Sequence, residues 1–178
     1  MGYFFRICFL SFCCLQLVPW ASVLADVSIA KAVESFAPAG AVLKKKTLFL
    51  SKVEKNQLEE ALGFKISSRM VPRIEVLLKG KLFAHAYLDT HMVRKLSQTL
   101  LIFVMPDQRV ADIQVLNFQE PPEYSVPKRW LRLFKGYGQN NFAKKKNHVP
   151  ARSGATMTSA SVEKAVKKII AITAMKQS

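Results

Sequence analysis

Residues 73–89 read Arg73-Ile-Glu-Val-Leu-Leu-Lys79-Gly80-Lys81-Leu82-Phe83-Ala84-His85-Ala86-Tyr87-Leu88-Asp89, and their spacing decides the fold class. Two apolar-rich arms, 73–79 and 82–89, flank Gly80. In the second arm Leu82, Ala84, Ala86 and Leu88 alternate with Phe83, His85 and Tyr87, the period of two that a pleated strand imposes. The segment therefore predicts a β-hairpin. A second pair follows at 99–105 and 110–118, joined by Pro106-Asp107-Gln108-Arg109, residue types that favour a turn. Together they predict an antiparallel sheet of about four or more strands.

Outward from the sheet the period changes to that of helices. On the N-terminal side Ile29, Ala32, Val33 and Phe36 form a two-turn stripe, ended by Ala37-Pro38-Ala39-Gly40. Ser51-Lys-Val-Glu54 is a capping-box signature, and the helix it opens runs to Leu62 before Gly63. On the C-terminal side Glu120-Pro121-Pro122-Glu123-Tyr124 is a loop that two adjacent prolines keep irregular. Pro127 then opens a short helix over 127–135, closed by Gly136, and Trp130 is either its core anchor or a stacking surface. Residues 137–152 are polar and basic and predict a loop. Val162, Ala165, Val166, Ile169, Ile170 and Thr173 lie on one face of a last helix, with Glu163 and Lys167 paired four apart on the other. The expected fold is α+β, a single domain whose antiparallel sheet packs against N- and C-terminal helices.

The first 25 residues differ in kind from the rest. Arg6 precedes an apolar run over residues 7–18, Pro19 follows, and Val23-Leu24-Ala25 places small residues where a signal peptidase looks. Residues 1–25 are expected to be a signal peptide, cut before Asp26, with residues 26–178 the mature domain. A retained anchor is the other reading, but Gln16 and Pro19 leave the run short of the about 20 apolar residues a span needs. Cys8, Cys13 and Cys14 all fall inside it, so the mature chain has no thiol for a disulfide or a metal. The expected location is exported: periplasmic, or at the outer face of the cytoplasmic membrane.

The formal charge of +15 invites a nucleic-acid reading. Export argues against one. Lys44-Lys45-Lys46 and Lys144-Lys145-Lys146 are expected as solvated loop faces, or as docking charge for an acidic redox partner or an anionic membrane surface. His85, His91 and His148 are scattered without ligand spacing, so no metal site is expected, and no GxGxxG or P-loop is present.

The stretch with chemical content is Ser153-Gly154-Ala155-Thr156-Met157-Thr158-Ser159, just before the last helix. Gly154 and Ala155 let a ligand approach the backbone, helix-start N–H groups favour a phosphate, and Thr156 presents a hydroxyl. Ser, Thr and Gly at this place serve equally well as ordinary helix caps.

Five stretches taken in order resemble the FMN-binding domain family: Lys46 to Leu50, Asp89 to Arg94, Phe118 to Tyr124, Lys128 to Trp130, and Ser153 to Ser159. That family includes the FMN-carrying C subunit of the sodium-translocating NADH:quinone reductase and the G subunit of the Rnf complex. Nearly the whole expected mature chain resembles a small, free-standing, exported branch of it.

The resemblance implies an FMN-binding electron-transfer domain. Its cofactor would be held by Ser153, Gly154, Ala155, Thr156 and Thr158, and Thr156 would be the point where a flavin transferase attaches FMN through a phosphoester. Arg94 would meet the phosphate or the N1–C2=O edge of the flavin, or be a surface cation. His91 would stand beside it as a structural histidine or a proton donor, and Glu120 and Tyr124 would belong to a rigid wall beside the ring or to a purely structural corner. The implied partners are a redox protein, such as a cytochrome or a membrane electron-transfer complex, and the transferase. Family members usually carry an Asp about three residues before the motif. Pro150 stands there in this chain, so FMN held without a covalent bond is equally compatible. A flavin-dependent reductase of a small extracytoplasmic acceptor, and a binding module without redox chemistry, are the alternatives.

Overall fold

The computed structural model describes residues 20–143 and 149–177. Most of the expected leader, residues 1–19, lies outside the described residues, as do Lys144 to Lys146 and His148. Ala25 and Asp26 fall within helix α1, Trp20–Phe36. Strand β1 (Val42–Phe49) and helix α2 (Lys52–Leu62) follow, then strands β2 (Met70–Leu78), β3 (Lys81–Met92), β4 (Ser97–Val104) and β5 (Val110–Phe118). A 3-10 turn at Pro122–Tyr124 leads to α3 (Lys128–Leu131), a second 3-10 turn at Arg132–Phe134, α4 (Gln139–Ala143) and the long α5 (Thr156–Gln177).

The five strands make one antiparallel sheet in the order β1-β2-β3-β4-β5, so every neighbour in space is also a neighbour in sequence. The hairpin expected around Gly80 is present. Lys79 and Gly80 have φ of 50° and 76°, the two positive values that a type I′ turn needs to match strand twist. The capping box is present too. Ser51 Oγ accepts from the Glu54 N–H at 3.1 Å, and the Glu54 carboxylate accepts from the Ser51 N–H at 2.7 Å.

Three expectations need correction. Lys44, Lys45 and Lys46 are not loop residues; they sit in β1, an edge strand that pairs Lys44 with Glu75 and Lys46 with Arg73. Lysines on an edge blunt pairing with other chains, and Lys46 also bonds Glu75 at 2.9 Å. The helix expected over 127–135 is split between α3 and the 3-10 turn that follows. The basic loop over 137–152 contains α4.

Alternation of side chains gives the sheet two apolar faces. One packs on α1, where Val33 is buried with Ile74, Val76, Ala84, Ala86 and Leu101, and the Phe36 ring stacks on Phe103 at 4.0 Å. The other face carries Tyr87, Leu100 and Ile102 and is covered by α5 through Val162, Val166, Ile169 and Ile170. Each such buried aliphatic side chain stabilises the fold by about 1.5–3 kcal/mol. The outer side of α5 carries the Glu163–Lys167 ion pair at 2.8 Å. This layering, helix on sheet on helix, fixes the start of α5 at the end of the sheet where β3 finishes and β4 begins.

Candidate flavin site

The turn before α5 is closed on itself. The Ala155 N–H donates to Arg152 O at 3.0 Å, and the Arg152 N–H donates to Ser159 Oγ at 3.1 Å. Both the Ser159 N–H and its hydroxyl donate to Ala155 O, each at 2.9 Å. Gly154 has φ of 81°, a left-handed conformation that costs a residue with a Cβ about 1–2 kcal/mol. Ala155 is buried, whereas Ser153, Gly154 and Thr156 are exposed. Thr156 is the first residue of α5.

The N–H groups of Thr156, Met157 and Thr158 have no acceptor among the described residues, and the first turn of α5 contains no carboxylate. An anion at that place meets three unused donors and the positive end of a 22-residue helix, with no side chain already neutralising it. The chemistry of this donor set fits a phosphate.

Thr158, by contrast, is only 1 % exposed, and its hydroxyl donates to Tyr124 O at 2.6 Å. It ties the motif to the 120–124 loop instead of facing outward. Tyr124 in turn lies under Arg94, whose guanidinium carbon is 4.2 Å from the ring centroid, a separation at which cation and ring attract. Trp130 belongs to the core, 8 % exposed and edge-on to Phe134 at 5.3 Å. Its indole N–H donates to Pro150 O at 2.7 Å, so the segment before the motif is held by a backbone carbonyl.

Glu120 binds main chain. Its Oε1 accepts the backbone N–H groups of Arg94, Lys95 and Leu96 at 3.2, 2.8 and 2.9 Å. The N–H bonds from Lys95 and Leu96 hold its carboxyl below the ordinary range. Glu120 therefore shapes the β3–β4 turn that presents Arg94.

His91 faces inward on β3. Its Nδ1 donates to Asp89 Oδ1 at 2.8 Å, and its Nε2 is 3.2 Å from Gln98 Oε1. Asp89, 3 % exposed, is also paired with Lys168 of α5. Burial alone would raise the Asp89 carboxyl, but the His91 bond and the Lys168 charge outweigh it and leave it below its ordinary value. Sequence reading passed over Asp89, Gln98 and Lys168. Asp89 was legible as the residue two before His91 on the same strand face; Lys168, on a different element, was not.

Around this corner the structure gathers Thr158, Tyr124, Arg94 and Glu120 through direct contacts, and His91 joins through Gln98, its partner where β3 ends and β4 begins. A recess of about 430 Å³ opens beside it, between β5 and α3, with Gln98, Ser125, Val126 and Lys128 in its walls. The Ser153–Thr156 turn is not among its lining residues. No group of three metal-ligating side chains occurs among the described residues, and no described helix is long and apolar enough to cross a membrane.

Among known proteins, no curated relative and no solved structure matches the chain. A family model does. The FMN-binding domain model matches residues 97–171, from the first residue of β4 through the 120–124 loop and the Ser153–Thr158 motif into α5. Residues 97–171 of this chain belong to the FMN-binding domain family, and the cofactor that goes with them is FMN.

Proposed function

We propose that the protein is an exported electron carrier whose FMN phosphate rests on the first turn of α5, joined to Thr156 Oγ1 by a phosphoester. The observation that carries this is the placement of Thr156. It is exposed, it opens the helix, and it stands beside three backbone donors that nothing among the described residues uses. A transferase that consumes FAD would form the bond between Thr156 Oγ1 and the FMN phosphorus and release AMP.

Bound FMN supplies one- or two-electron redox chemistry. The chain's own residues bind and orient. Thr158 fixes the first turn of α5 to the loop at Tyr124, Glu120 holds the turn that carries Arg94, and Arg94 places a permanent positive charge over the Tyr124 ring. The recess at Ser125 begins one residue past the carbonyl that Thr158 holds. Its volume lies within the roughly 300–1,000 Å³ of small-ligand pockets, and it is the place we assign to the ring.

The test is flavin fluorescence of the protein produced with a flavin transferase and an export system. Denatured wild-type protein should stay fluorescent on a gel, and Thr156→Ala should not. Flavin retained by the native protein and lost by both forms on denaturation would leave the carrier reading standing with a non-covalent cofactor. No flavin in either native form would overturn it. Reduction of a small acceptor without any protein partner would instead make the protein a reductase.

A further inference from the structure

We propose that the end of the sheet formed by Phe49 and Met70 is a contact surface for an anionic phospholipid bilayer. Phe49 and Met70 are cross-strand partners where β1 ends and β2 begins, and they are 65 % and 56 % exposed. Val53, on the first turn of α2, is 65 % exposed. Three large apolar side chains in water at one end of a small domain are costly unless something covers them.

The charge beside them is positive. A recess of about 690 Å³ at this end has Phe49, Met70, Lys52, Lys55 and Arg69 in its walls. Two of the three carboxylates on α2 are already used. Glu54 holds Lys176 and the Ser51 N–H, and Glu59 holds Lys55, Lys65 and the Ile66 N–H. Lys52 and Arg69 have no carboxylate partner among the described residues. Aromatic and aliphatic tips flanked by unpaired cations suit the boundary between anionic headgroups and acyl chains.

A soluble acidic partner would satisfy Lys52 and Arg69, but it offers no apolar phase for Phe49, Met70 and Val53 to enter. The Tyr124–Arg94 corner lies at this end too, since β3 and β5 both finish there. Contact through Phe49 and Met70 would set the flavin corner toward the membrane surface. The inference does not depend on the flavin reading.

The experiment uses the protein recovered after export with Phe49→Trp, on vesicles of phosphatidylcholine and phosphatidylglycerol, some with brominated acyl chains. The wild-type tryptophan signal is subtracted, and Leu133→Trp, half-exposed at the far end of β5, is the comparison. The emission added by Phe49→Trp should be quenched several-fold more than that added by Leu133→Trp. The difference should vanish on pure phosphatidylcholine and in a background of Lys52→Glu with Arg69→Glu. Equal quenching at the two positions would overturn the proposal, as would no quenching of the Phe49 variant, even where a soluble acidic protein then protects it. Difference quenching that survives both charge reversal and neutral lipid would overturn it as well. Should Phe49→Trp fail to fold, Val53→Trp gives the same readout.

Discussion

The hydroxyl of Thr158 donates to the carbonyl of Tyr124 at 2.6 Å, joining two residues 34 positions apart. This one bond couples the first turn of α5 to the loop that lies under Arg94. A threonine that reads as a helix cap or a ligand group in sequence is, in the fold, the fastener between the two halves of the site.

Replacing Thr158 by Val keeps the shape and removes the donor, leaving the Tyr124 carbonyl without it. The expected cost is about 1–2 kcal/mol, a fall in Tm of roughly 2–8 °C for a chain of this size. Flavin retention should weaken alongside, because the loop is no longer held to the motif. Thermal unfolding and native flavin content of Thr158→Val check both. An unchanged Tm would show that the bond contributes nothing to stability.

Gly154 is set by its backbone and not by space. Its φ is 81°, yet a Cβ built there meets nothing within 4 Å. Gly154→Ala should therefore lose about 1–2 kcal/mol through strain alone, and Gly154→Asn less, since Asn tolerates the left-handed region better. The order Gly, Asn, Ala in Tm is the expected outcome. If Ala instead matched Gly, the turn would have an alternative geometry, and the placement of the three free amides would need revision.

His85 gives the protein an acid-sensitive window. It is 4 % exposed on the α5 side of β3, and its Nδ1 has no partner among the described residues. Burial, aided by the Arg73 charge, lowers its pKa from 6.5 to about 4. The unfolded chain thus takes up a proton first as pH falls. The stability contributed by neutral His85 is fully present above pH 6.5 and is lost as pH drops toward about 4. His85→Leu should flatten the dependence of Tm on pH across that window, and a slope equal to wild type would refute the assignment.

Much of this architecture was legible because periodicity reports burial. The alternation of 82–88 and the stripe from Val162 to Thr173 correspond to β3 and α5, whose inner faces are covered. Strand β1 was not legible, since an edge strand exposed at nearly every position carries no alternation, and three lysines in it look like a loop. The role of Glu120 was hidden for another reason. The donors it accepts from are backbone N–H groups 24 to 26 residues upstream, and no side-chain pattern marks a carboxylate that binds main chain. The same holds for Trp130, whose indole partner is the carbonyl of Pro150, a group every residue possesses.

That last contact makes the departure at Pro150 testable without disturbing the fold. Trp130 reads position 150 through its main-chain oxygen, so Pro150→Asp keeps the acceptor and changes only an exposed side chain. It adds the acid that the family usually carries near this place, and it frees one backbone N–H at a solvent-exposed position. The proline ring's restriction of the unfolded chain is lost, which costs about 0.4–1 kcal/mol, too little to unfold a domain of this size. With flavin transferase present, Pro150→Asp should carry more covalent flavin per chain than wild type, measured by intact mass. Double substitution with Thr156→Ala should abolish the gain, because the only change is in how well Thr156 is presented. Equal labelling of wild type and Pro150→Asp would mean that the transferase reads the exposed turn at Gly154 and the free start of α5, and needs no acid at position 150.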